Sequence, residues 1–229
     1  IVFASTIELY GVNPEDPCTE NSRKRPPPGY PAHKLLGEKM LAGFSRETGI
    51  EAVFPRMPMI LGPGFYHFKL VLAFFEAMRR NLPVIVADDG RRRGRMVAAC
   101  DAVEGLRLCA DTPEINLEAF NICEAGAFTH RGMIEEVIAK AGSGSRVIGV
   151  PSRALRTAFD TAYPLGLCPV AREHFYFSLH HCDYSIEKAR RTLGYTPRKN
   201  AAGAMIETYR SYHEGGRKEL KKDVANELL

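Results

Sequence analysis

The chain has 229 residues, 45% of them hydrophobic and 25% charged, and carries a formal net charge of +4. That is enough apolar material to bury a core, as one large domain or two small ones, and no run of about eighteen apolar residues is present to span a membrane. The positive charge is clustered (Arg23-Lys24-Arg25, Arg91-Arg92-Arg93 with Arg95, Arg217-Lys218 with Lys221-Lys222), which suits small anionic molecules such as phosphates and does not require nucleic acid.

In chain order, Ile1 to Ala4 is a short apolar β-type run ending in Ser5-Thr6, hydroxyls at the carboxyl end of a buried strand. A proline-rich loop, residues 12–29, leads through Pro26-Pro27-Pro28 to a helix from about Pro31 to Thr48, with Gly49 as its C-cap. Ile50 to Pro55 reads as a second strand, and Gly62-Pro63-Gly64 as a turn. Strand, loop, helix, strand is a βαβ unit, so the fold class is α/β with a parallel sheet.

Phe68 to Arg80 repeats its apolar residues at helical spacing, and the aromatic face reads as core. Pro83 to Ala87 is a strand and Asp88-Asp89-Gly90 a turn. After the arginine cluster, Asp101 is an N-cap for the next helix. A strand at 119–123, a helix capped by Thr129 and ending near Gly142, and a strand from Arg146 to Pro151 follow. Residues 152–176 are apolar and aromatic without a clear period. Asp183-Tyr184-Ser185 caps a helix from Ile186 to Leu193. The final helix runs from about Ala201 to His213, ahead of a charged tail that is expected to fray.

The six cysteines are scattered without a Cys-x-x-Cys pair, which reads as reduced thiols in a cytoplasmic protein. The cluster His180-His181-Cys182 has no second cluster at ligand spacing, so no metal site is expected. The first residue is Ile inside an apparent strand, with no signal peptide, as if the chain were entered in its middle.

The stretch with the most chemistry is Gly29-Tyr30-Pro31-Ala32-His33-Lys34. Tyr30 and Lys34 lie one turn apart on one helix face. An ammonium beside a phenol favours the phenolate, which would make Tyr30 a proton donor and acceptor near neutral pH. A lone Tyr-x-x-x-Lys equally fits a helix-start tyrosine beside a solvated lysine, and Thr6 equally fits a strand-end hydroxyl capping local backbone.

Several separated segments together resemble the extended short-chain dehydrogenase/reductase superfamily, the NAD-dependent epimerase/dehydratase group. Val2 to Gly11 is similar to that family's strand carrying a catalytic Ser or Thr four residues before a Tyr-Gly, which assigns the role to Thr6. Tyr30 and Lys34 match its Tyr-x-x-x-Lys pair. Arg56 through Gly62-Pro63-Gly64 resembles the segment beside the nicotinamide. Arg91 to Val103, Phe120-Asn121-Ile122 and Asp183 to Tyr195 resemble three later landmarks. No Gly-x-x-Gly-x-x-Gly occurs in the sequence, Met59 falls where many nucleotide-sugar enzymes have Asn, and His33 replaces a small residue.

The resemblance implies a Rossmann-like sheet, with residues 1–64 forming the second half of a dinucleotide-binding domain. Residues 65–229 would be mainly a substrate-binding region, mixed α/β and smaller, with the strand near 119–123 returning to the Rossmann sheet. It implies an NAD- or NADP-dependent epimerase, dehydratase or oxidoreductase acting on a nucleotide-sugar, probing Thr6, Tyr30 and Lys34 as catalytic residues. Tyr30, Lys34 and Pro58 would hold the cofactor. Thr6, Met59 and Arg93 or Arg95 would hold substrate, the arginines on a diphosphate. A homodimer through the helix after Tyr30 and the one after Gly64 is implied as well. The alternatives are a dehydrogenase or reductase of an apolar alcohol or ketone, steroid-like or flavonoid-like, favoured by Met59 and the apolar 152–176 segment, and a non-catalytic relic of the fold.

Overall fold

The computed structural model describes residues 1–216 except 13, 14, 67, 167, 169–174, 176–178 and 182. The frayed-tail expectation and Cys182 therefore lie outside the described residues. Strands β1 (Ser5–Thr6), β2 (Phe54–Met57), β3 (Ile60–Leu61), β4 (Val84–Ala87), β5 (Arg93–Gly94), β6 (Val97–Ala98), β7 (Ala119–Asn121), β8 (Phe128–Thr129) and β9 (Val147–Val150) are short. The helices are α1 (Tyr30–Thr48), α2 (Lys69–Arg79), α3 (Ala99–Asp111), α4 (His130–Ala141), α5 (Ser152–Ala162), α6 (Glu187–Leu193) and α7 (Ala201–Ser211). The chain forms two compact units. One takes in Ile1–Ile60, Arg93–Ala127 and His180–Ala201, the other Leu61–Arg92, Phe128–Leu179 and the remainder from Ala202.

The first unit is built on a parallel sheet in the order β1-β2-β7. Ser5 faces Arg56 and Thr6 faces Met57 in the β1–β2 register, and Arg56 faces Asn121 in the β2–β7 register. The expected parallel βαβ unit is thus present, although the second strand lies further along than Ile50–Pro55, and the first contracts to Ser5–Thr6 plus a bridge between Val2 and Val53. The core is apolar where parallel strands demand it: Phe120 and Ile122 are fully buried, with Leu9, Tyr10, Val97, Ala189 and Tyr195 around them.

α1 opens without a side-chain cap, with proline in its first turn, and stops at Gly49, whose φ of 76° is left-handed and whose N–H reaches the Ser45 carbonyl at 2.9 Å. Gly37 lets the helix lie on the Phe3 ring: a Cβ there would stand 2.7 Å from the ring's Cζ.

Asp101 does not cap α3, which begins two residues earlier. It sits in the first turn, 1% exposed, and accepts the Arg198 and Lys199 amides at 3.1 Å each, tying a distant loop to the helix. Asp183 likewise does not cap α6, because its carboxylate is turned to arginines; Ser185 accepts the Glu187 amide instead, at 3.3 Å.

In the second unit β4 and β9 pair in parallel, Val84 with Val147 through Ala87 with Val150. α2 buries Val71, Phe75 and Met78, as its period requires, and Phe75 meets the Tyr209 ring of α7 edge-on at 5.3 Å. Thr129 caps α4 by accepting the Gly132 amide at 3.2 Å, and Gly142 ends it. Within the unassigned 152–176 stretch, Ser152–Ala162 is helical; Ala154, Leu155, Ala158, Phe159 and Ala162 recur at helical spacing, and Phe159 is the buried residue of that helix.

Candidate active site

Three of the singled-out residues converge. Thr6 ends β1 at 4% exposure and its Oγ1 accepts the Glu8 amide at 3.2 Å, so the local capping role is real. The same side chain lies near enough to the phenol of Tyr30, the half-exposed first residue of α1, to influence its ionisation. Lys34 lies one turn further on. Its Nζ donates to the Ala4 carbonyl at 2.9 Å and stands over the rings of Tyr30, 5.6 Å from the centroid, and Phe3, 5.0 Å. Because Thr6 is level with Met57 in the sheet, Pro58 and Met59 lie at the same carboxyl edge of the parallel strands, where open α/β sheets bind ligands. Pro58 is buried and Met59 half-buried.

The electrostatics differ from the sequence reading. Tyr30 is held above the ordinary phenol range, first by burial and next by the Glu8 carboxylate, against which the Thr6 hydroxyl pulls down. The expected lowering by Lys34 is not found, and the geometry says why: one N–H of the ammonium goes to a backbone carbonyl, and the group stands over the ring face.

Arg93 and Arg95 meet around Asp183. Arg95, its side chain 9% exposed, donates from Nε to Asp183 at 2.7 Å and from a terminal nitrogen to the Glu124 carbonyl at 2.6 Å. Arg93, with 42% of its side chain exposed, bridges Asp183 at 3.3 Å and Asp16.

Glu38 and Arg56 escaped the sequence reading as partners. Their guanidinium–carboxylate pair is bidentate, at 2.9 and 2.7 Å, and both side chains are under 8% exposed. The available signal was the spacing of Tyr30, Lys34 and Glu38, which falls on one helix face.

Three of the cysteines are unsuited to nucleophilic chemistry. Burial pushes Cys18 up to about 11 and Cys109 and Cys123 up to about 12, leaving them protonated. Among the described residues no group of His, Cys, Asp and Glu could hold a metal ion, no cysteine forms a disulfide, and no helix is long and apolar enough to cross a membrane.

A parallel sheet with a hydroxyl at the carboxyl edge of β1, met there by a tyrosine and a lysine of α1, defines a Rossmann-like α/β protein. The model of the NAD dependent epimerase/dehydratase family matches residues 1–123, and the chain belongs to that family. Among curated relatives, the uncharacterized protein y4nG of Sinorhizobium fredii is 27% identical over all of this chain and 58% of its own length. The dTDP-glucose 4,6-dehydratase of Streptomyces niveus is 25% identical over 93% of this chain and 57% of its own. Among solved structures, UDP-glucose 4-epimerase from Thermotoga maritima superposes with a TM-score of 0.72 at 21% identity, covering 93% of this chain and 63% of that one. The chain thus spans less than two thirds of these relatives, and the likeness to solved structures establishes the fold.

Proposed function

We propose that this chain supplies the proton-transfer and substrate-holding part of an NAD- or NADP-dependent epimerase or dehydratase acting on a nucleotide-sugar. The observation that carries the reading is the convergence of Tyr30, Thr6 and Lys34 at the carboxyl edge of β1 and β2. Tyr30 exchanges a proton with the reacting hydroxyl or carbonyl oxygen, and Thr6 hydrogen-bonds the same oxygen. Lys34 fits the ribose of a nicotinamide nucleotide. Its ammonium has three N–H donors and gives one to Ala4, leaving two for the ribose hydroxyls, beside the apolar wall of Pro58. A nicotinamide cofactor bound there supplies the hydride acceptor and donor. The relatives named as dTDP-glucose dehydratase and UDP-glucose epimerase support the substrate class. In this reading residues 1–64 belong to the cofactor-binding half and residues 65–229 mainly to the substrate region.

Of the two candidate arginines, Arg93 has the more exposed guanidinium, for which a diphosphate would compete with Asp16 and Asp183, while Arg95 holds Asp183 from within. Met59 lines the same edge toward the sugar. In a thermal-shift comparison on the intact protein, UDP- or dTDP-sugars are expected to raise the melting temperature, and apolar ketones of steroid or flavonoid type are not. The opposite ranking would replace the nucleotide-sugar by an apolar alcohol or ketone. No response to any substrate or to NAD and NADP would favour a non-catalytic relic.

A homodimer is part of the proposal. Leu36, Met40 and Phe44 form a stripe at helical spacing on α1, exposed by 54%, 66% and 43%, and Leu70 is exposed at the start of α2. Met40→Lys is expected to convert a dimer to a monomer in light scattering coupled to gel filtration. An unchanged mass would remove α1 from the interface.

A further inference from the structure

The proton-transfer group sits at a poorly tethered place. Tyr30 is the first residue of α1, its N-cap Gly29 makes no side-chain cap bond, and the tyrosine itself is half-exposed. Acid–base chemistry nevertheless needs the phenol held to within fractions of an ångström of the reacting oxygen. The bonds that hold it lie further along the helix.

Tyr30, Lys34 and Glu38 succeed one another at intervals of four on one face of α1, and each engages the short segment that carries Thr6. Tyr30 stands beside Thr6, Lys34 donates to the Ala4 carbonyl at 2.9 Å, and Glu38 accepts from the Ser5 hydroxyl at 2.6 Å. The Glu38 contact differs from the other two because it is buried and locked from a second strand. Arg56 stands opposite Ser5 in the β1–β2 register, so the hydroxyl and the guanidinium close on the same carboxylate. Arg56 also donates to the Tyr10 hydroxyl at 2.9 Å, and that hydroxyl donates to Asn121 at 2.8 Å, opposite Arg56 on β7. A polar row, Ser5–Arg56–Asn121, thus crosses the sheet one residue behind Thr6, and Glu38 joins it to the helix that bears Tyr30.

We propose that Glu38 is a positioning residue. Through Ser5 and Arg56 it fixes α1 against β1, and so sets the Tyr30 phenol against Thr6. The inference rests on the reading of Tyr30 as the proton-transfer group.

Two variants test it in the intact protein. Ser5→Ala removes only the bond from β1 to Glu38. Glu38→Met combined with Arg56→Met removes the tether as a pair, which leaves neither of the two charges buried without the other. With NAD and dTDP-glucose or UDP-glucose, the double variant is expected to lose about tenfold to a hundredfold in kcat, with KM for the sugar within about twofold. In protein labelled with 13C-tyrosine, the Tyr30 resonance, identified by its loss in Tyr30→Phe, is expected to titrate at higher pH as the Thr6 contact loosens. Ser5→Ala should shift it in the same direction by less.

A folded double variant with unchanged kcat and an unchanged Tyr30 titration overturns the proposal. If the double variant does not fold, Ser5→Ala decides alone, and a parental titration and kcat overturn it. Should Tyr30→Phe retain turnover, the functional reading fails separately, while the titration still reports whether Glu38 positions the phenol.

Discussion

Tyr30→Phe is expected to lower turnover of the intact protein by about 10²- to 10⁴-fold, the range one positioned acid–base group contributes. The circular dichroism spectrum and melting temperature should stay at the parental values, because Tyr30 is 56% exposed and phenylalanine keeps its ring. Steady-state assays with nucleotide-sugars and NAD or NADP check it, and retained turnover would remove Tyr30 from the chemistry. The raised phenol adds a pH signature. Burial and Glu8 keep Tyr30 protonated further into the alkaline range than an ordinary tyrosine. A step needing its phenolate, such as taking the proton from a substrate hydroxyl, therefore speeds up as pH rises through that shifted value. Glu8→Gln withdraws a negative charge that favours the neutral phenol, so the alkaline limb of kcat against pH should move to lower pH. A limb that stays in place or moves up would show that another group sets it.

The second large effect is on stability. Arg56→Ala leaves the Glu38 carboxylate, the Tyr10 hydroxyl and the Glu20 carbonyl facing a void where the guanidinium donated to all three. Breaking a buried pair from one side costs about 3–5 kcal/mol, equivalent to a loss of about 6–20 °C in melting temperature for a chain of this size. Arg79→Ala, which removes the guanidinium from a partly exposed pair with Glu76, should barely move the midpoint. Equal effects in the two variants would mean that the Arg56 cluster is hydrated or rearranged in solution.

Much of the architecture was legible in local chemistry. α1 announced both ends, through Pro31 and Gly49, and α4 announced its start through Thr129. The alternation of apolar runs with helical periods indicated a parallel sheet, and the structure has one. α5 was missed although its apolar residues recur at helical spacing, because three of the five are alanines and the flanking aromatic residues mask where the period stops. Asp101 and Asp183 misled because an acid near a helix start is the usual sign of a cap, whereas both are claimed by partners remote in sequence. The site was legible as a motif in Tyr30 and Lys34, but its electrostatics were not. Where Lys34 points depends on the Ala4 carbonyl, and that is fixed only when β1 docks on α1. The Glu38–Arg56 pair needs the register of β1 on β2, which no local pattern encodes.

The same row of polar residues bears on how the sheet finds its pairing. Strands as short as these, mostly apolar on both faces, give a weak steric signal for alignment. A slip of β2 by a single residue would turn Arg56 to the opposite face and strand Glu38 in the interior without its guanidinium. Such a misaligned sheet would bury a lone carboxylate at a cost of several kcal/mol. The Ser5–Arg56–Asn121 row therefore acts as a checksum on strand alignment during folding, penalising near-miss topologies that burial of hydrocarbon alone would tolerate.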